Sequence, residues 1–166
     1  MYLSLYTLHF QEKVVESLIF GRIWSFTLSR RPSVNVKRYI GATLALFVFI
    51  FLYQWVVHGM ILSPFYHETP KVWREMAEMK ANMPIGMLFQ LLIAAWLAFV
   101  FTRLFKSGGL AKGLLFGFYF GVFMGLTTAT WSLWLPVQAA LGWGWFVAGL
   151  LEGIGGGAVL GLVYRK

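Results

Sequence analysis

A single carboxyl group lies where a membrane would make it costly. Glu152 sits inside an uninterrupted apolar run from Ala139 to Tyr164, and it is the only formally charged side chain inside any long apolar run of the chain. A charge at the centre of a membrane helix costs about 2.5–3.5 kcal/mol on insertion scales. Its presence points to chemistry or to a polar contact that locks helices together. Few groups could work with it. Gln54 and His58 stand four apart in one apolar run and share a helix face at that spacing. Gln90 lies in a second run, and Thr127 and Thr128 lie in a third. A carboxyl, an imidazole, two amides and two hydroxyls could line a polar pocket floored by Glu152. There Glu152 could exchange a proton, or act as acid and base with His58 assisting. The same groups could equally form a hydrogen-bond network that only fixes helix packing.

Other chemistry is poorly supplied. The chain has no cysteine, so it has no disulfide framework, thiolate metal site or cysteine nucleophile. It has no aspartate, which removes a Ser-His-Asp triad and most paired-acid hydrolase mechanisms. No phosphate-binding loop, dinucleotide fingerprint, HExxH or GxSxG motif occurs. Met76, Met79, Met83 and Met87, with His67 nearby, are the one soft-ligand set. Thioethers suit Cu(I), but a methionine stripe is more often apolar filling. The expectation is no metal, no cofactor and no enzymatic activity.

The elements that position these groups are membrane helices. The chain of 166 residues is 59% hydrophobic and only 12% charged, with mean hydropathy +0.71. Soluble domains carry roughly 25% charged residues, so lipid must solvate part of this surface. Four segments are long enough to cross about 30 Å of hydrocarbon: 39–62, 84–102, 113–135 and 139–164. The predicted fold is all-α, a polytopic bundle of four transmembrane helices forming one domain over 34–166. The external loop from His67 to Met83 reads as an amphipathic helix on the bilayer surface. Thr69 would cap it, Pro70 suits its first turn, and Trp73, Met76, Met79 and Met83 recur along one face.

The net charge of +8 is distributed as a topology signal. Arg30, Arg31, Lys37 and Arg38 precede the first span. Arg103, Lys106 and Lys112 separate the second from the third, and Arg165 and Lys166 close the chain. The first external loop is mixed, and the Pro136–Gln138 turn carries no charge. Positive-inside bias puts both termini in the cytoplasm. The basic residues flank spans and form no separate patch, so nucleic acid is not an expected partner. The expected partners are the lipid bilayer and either further copies of the chain or a membrane complex.

Residues 1–33 read differently. Val14 to Leu28 is moderately apolar, but Glu16 and Arg22 interrupt it. It is either a cytoplasmic helix lying on the bilayer or an over-extended start, with the natural one at Val34. The composition shift at Ser33 favours the second.

Two stripes of small residues complete the pattern. Gly113, Gly117, Gly121 and Gly125 recur every four residues in the third span, and Gly149, Gly153, Gly157 and Gly161 do so in the fourth. Such a glycine zipper lets two backbones approach closely, and packing drives helix association in lipid. The turn between these spans is short, so they must be antiparallel neighbours. The two stripes meet inside one protomer in the simplest arrangement; mating with another subunit is the alternative.

The residues His58 to Leu62, Tyr66, Val72 to Met76, the Gly113–Gly125 stretch, Trp145-Phe146 and Leu151-Glu152 together resemble a group of small bacterial four-helix integral membrane proteins that carry a domain of unknown function. The resemblance covers roughly 35–166. It implies a four-helix fold in the bacterial cytoplasmic (inner) membrane and brings no activity or catalytic residues. On this reading the protein is a non-enzymatic accessory subunit or small oligomeric conduit with Glu152 as its buried polar determinant. A proton-linked carrier or channel and a membrane enzyme pairing Glu152 with His58 are the alternatives.

Overall fold

A computed structural model describes residues 35–105 and 107–164. The expectation for 1–33 lies outside the described residues. Four long helices carry the described chain, and each is long and apolar enough to cross a membrane. Helix α1 runs Val36–Val56 and continues into a π-helical turn, Val57–Ile61. A short helix α2 (Ser63–His67) and a 3₁₀ turn (Pro70–Val72) lead to α3, Met76–Leu104. Helix α4 is Leu110–Thr130, followed by a 3₁₀ turn at Trp131–Leu133, and α5 is Ala139–Val163. Among the described residues there is no strand.

The helix ends follow from local chemistry. Asn35 caps α1, its side-chain oxygen accepting from the Arg38 amide at 3.1 Å. Gly109 precedes α4 at φ 142°, a conformation that glycine adopts without a Cβ penalty. The Gly108 amide donates to the Tyr164 carbonyl at 2.8 Å and the Gly109 amide to the Gly161 carbonyl at 2.7 Å. Carbonyls in the last turn of a helix have no partner within it, and this loop supplies one.

The expected separate amphipathic helix over 67–83 does not form. Residues 76–83 are the opening turns of α3, and Pro84 lies inside that helix. Proline removes one backbone donor, a loss that membrane helices tolerate where other groups re-satisfy the carbonyl. Thr69 makes no cap. Its hydroxyl donates to the Phe65 carbonyl at 3.4 Å and accepts from the Trp73 indole at 3.2 Å.

The close-packed pairs are α4 with α5, α1 with α3 and α1 with α5. The two four-residue glycine stripes are buried and face each other across the α4–α5 pair. A Cβ added at Gly149 would lie 2.8 Å from the Gly125 Cα, and one at Gly121 would lie 2.5 Å from the Leu150 carbonyl oxygen. Backbone touches backbone along this seam. Helix α1 seats on a second glycine face of α5. A Cβ at Gly156 would meet Leu46 at 2.9 Å, and Gly155 lies under the Phe49 ring.

Two apolar clusters hold the bundle. At the end marked by Lys37, Arg103 and Lys112, Leu46, Ala98, Phe101 and Leu160 are fully or almost fully buried. At the loop end, Val57, Leu62, Leu141, Trp145 and Ala148 form the other. Trp55, Trp96, Phe123 and Trp143 are exposed, as lipid-facing aromatics should be.

Candidate functional site

Glu152 sits on α5 about 17 Å from Val163 at 1.5 Å per residue, close to half the depth of a span. It is partly buried, and the Gln54 side-chain amide on α1 donates to its carboxyl at 3.2 Å. The neighbouring residue fixes this approach. The Tyr53 hydroxyl donates to the Ala148 carbonyl at 2.8 Å, one turn from Glu152. Two side chains in succession on α1 thus bind α5.

The Gln54–Glu152 pair forms part of the wall of a cavity of about 460 Å³ lined by all four long helices. Met83, Met87 and Gln90 line it from α3, Phe120 and Met124 from α4. At the basic end α3 and α4 meet, with the Phe101 and Phe116 ring centroids 5.4 Å apart. Gln90 contributes a buried side-chain nitrogen with no hydrogen-bond partner. Polar residues from three helices therefore line one largely apolar space, with the Gln90 nitrogen itself closed off from it.

The other sequence candidates stand apart from it. Thr127 is exposed, its hydroxyl donating to the Phe123 carbonyl at 2.7 Å. Thr128 is turned about 100° from it, the angle between successive helical residues. Its hydroxyl bonds its own helix at Met124 and reaches the Trp145 carbonyl of α5 at 3.3 Å. Neither threonine bonds Glu152. His58 belongs to a separate cluster at the loop end. Its Nδ1 lies 2.6 Å from the Tyr66 hydroxyl, which accepts from the Trp145 indole at 2.8 Å. Indole only donates, so the Tyr66 oxygen accepts from Trp145 while its hydroxyl also pairs with the His58 ring nitrogen. Trp73 closes the cluster, edge-on to Tyr66 at 5.1 Å between centroids. Burial pushes the Tyr66 phenol above its ordinary pKa, and the Trp145 bond acts the other way.

His58 lies one turn beyond Gln54, just past the start of the π turn at Val57, and there it meets Tyr66 of α2 instead of the cavity. Tyr53, Tyr66, Trp73 and Trp145 are the polar-tipped aromatics that residue-type reasoning passed over. Their signal was proximity, since Tyr53 adjoins Gln54 in sequence. Among the described residues no group of three or more His, Cys, Asp or Glu could hold a metal. Met79, Met83 and Met87 line the cavity as part of its apolar wall.

These features define an all-α, multi-pass membrane protein. Comparison with family models, curated proteins and solved structures gives no match.

Proposed function

We propose that the protein is a non-enzymatic integral membrane bundle, an accessory subunit or small conduit of a bacterial cytoplasmic membrane. In this reading both termini face the cytoplasm, and Glu152 is the polar determinant of the intramembrane cavity. The observation that carries it is the Gln54–Glu152 hydrogen bond at the cavity wall, 3.2 Å long. A carboxyl at that depth is retained only where protein supplies a partner or a cavity, and here both occur. The separation of His58 from Glu152 weighs against an acid–base pair.

The test compares Glu152→Gln with Glu152→Leu. Glutamine keeps the shape and a hydrogen bond to Gln54, whereas leucine leaves that amide unpaired. Glutamine should unfold in detergent at nearly the parent temperature and leucine clearly lower. Equal stability of the parent and Glu152→Leu would remove Glu152 from this role.

A second reading, proton-linked transport, is favoured by the cavity reaching the carboxyl itself. Proteoliposomes holding a pH dye separate the two. A proton flux that disappears in Glu152→Gln, with folding intact, selects the carrier.

A further inference from the structure

We infer that the cavity binds a lipophilic monocation, an alkylammonium in its simplest form, whose charged nitrogen pairs with the Glu152 carboxylate. This inference deepens the reading of Glu152 as the polar determinant of the cavity, and it rests on that reading.

Charge complementarity points to the ligand. Glu152 is the one ionisable residue among the described residues that line the cavity, and no lysine, arginine or histidine joins it there. Among the described residues no basic side chain forms an ion pair with Glu152; that contact occurs between Arg74 and Glu78. Gln54 supplies one hydrogen bond, whereas an ionised carboxylate can accept about four. The Gln54–Glu152 contact is exposed and not sealed into the packing, so a further donor can reach the carboxyl. A carboxylate in apolar surroundings needs a counter-charge, and a proton or a cation can provide it. When a cation meets a protonated Glu152, the proton leaves to water and the net charge of the site is unchanged. An anion would find no basic group in the wall. A metal ion would need more ligands, since among the described residues no group of three or more His, Cys, Asp or Glu could hold one. A neutral hydrocarbon would make no use of the carboxyl.

The rest of the wall sets the body of the ligand. Phe51, Trp55, Phe89, Phe116 and Phe120 line the cavity, and aromatic faces attract cations as well as hydrocarbon. A space of about 460 Å³ falls within the range of small-molecule sites. Access is open in two directions. Met79, in the first turn of α3, belongs to the wall, so the cavity extends from the depth of Glu152 toward the loop end. The wall residues Trp55 and Phe89 are more than half exposed, which leaves the site open sideways to the bilayer. An amphiphile resting at the bilayer surface can therefore reach Glu152.

The experiment uses the full chain in phosphatidylcholine nanodiscs at about pH 7, where an alkylamine is protonated. The probes are tritiated decylamine, decanol and decanesulfonate, which share a chain and differ in head charge. Retention is measured against empty nanodiscs. Decylamine should bind saturably, one per chain, at least tenfold more tightly than decanol. Decanesulfonate should show no saturable binding. Glu152→Gln should lower the affinity for decylamine at least tenfold, to that of decanol, and leave decanol unchanged. Phe120→Trp, which narrows the cavity, should weaken both. Equal affinity for decylamine and decanol, undiminished decylamine binding in folded Glu152→Gln, or undiminished binding in Phe120→Trp would each overturn the proposal. If that happens while Glu152→Leu still destabilises the bundle, the ligand class fails and the role of Glu152 stands. If Glu152→Leu is also harmless, both fail.

Discussion

Adding one methyl group at Gly153 should damage the bundle more than its size suggests. A Cβ there would lie 2.5 Å from the Gly121 nitrogen and 2.7 Å from the Gly117 carbonyl oxygen, with the Gly121 Cα closer still. All three atoms are backbone, so no rotamer change can relieve the clash. Non-bonded carbons rest at about 3.5–4.0 Å, so α4 and α5 would have to separate by about 1 Å. A gap of 0.5–1 Å forfeits about a quarter to a half of each dispersion contact. The loss would spread to the neighbouring glycines of the stripe. Gly153→Ala should therefore cost about 1–3 kcal/mol, the usual range for overpacking. Gly41 is the internal control, because a Cβ there meets nothing within 4 Å. Gly41→Ala should be neutral or stabilise by up to about 1 kcal/mol through helix propensity. The assay is reversible unfolding in mixed micelles of increasing SDS fraction, followed by tryptophan fluorescence. If Gly153→Ala unfolds at the parent SDS fraction, or below it by no more than Gly41→Ala does, the backbone seam is not the tight contact described.

Further outcomes follow from individual contacts. Tyr53→Phe removes the donor to the Ala148 carbonyl and should cost about 0.5–1.5 kcal/mol in the same assay. Gly109→Ala places a side chain at φ 142° and should destabilise by about 1 kcal/mol or more, although a Cβ there meets nothing within 4 Å. Cysteine at Ser107 should stay unlabelled when an impermeant maleimide is added to intact cells; labelling would reverse the proposed orientation. The Tyr66 phenol is held neutral by burial, so its folded pKa lies above the unfolded value of 10.0. Its contribution to stability is full below that value and falls as pH rises through the folded pKa, which alkaline titration at 295 nm with Tyr66→Phe as reference should reveal.

The sequence made the spans legible because length and hydropathy alone require them in a bilayer. Their ends were less legible. The second span was expected to begin at 84, where the apolar run begins, yet α3 enters it from Met76 and passes through Pro84. The Gln54–Glu152 contact joins two polar residues made conspicuous by the apolar runs around them, but residue type does not give azimuth. Thr127 and Thr128 sit at nearly the same depth, and only Thr128 turns toward α5. His58 lies one turn beyond the cavity, against Tyr66 of α2, a partner from another element that helical spacing does not name. Gln90 was visible as a polar residue in an apolar run, whereas its lack of a partner is a property of the assembled walls.

The loop before α4 has a consequence for how the protein is made. Gly108 and Gly109 hold the carbonyls of Tyr164 and Gly161, residues translated more than fifty positions later. During synthesis those two amides must wait, solvated, while α4 and then α5 leave the ribosome. The α4–α5 hairpin can close at this end only when its last turn has emerged. Until then α4 exposes a glycine groove to the bilayer, with α5 not yet in place to fill it. The first two spans can settle early, but the final pair forms as one late event. A chain stopped short of Gly161 would therefore lose more than the end of a helix, because the latch at the start of α4 would have nothing to hold.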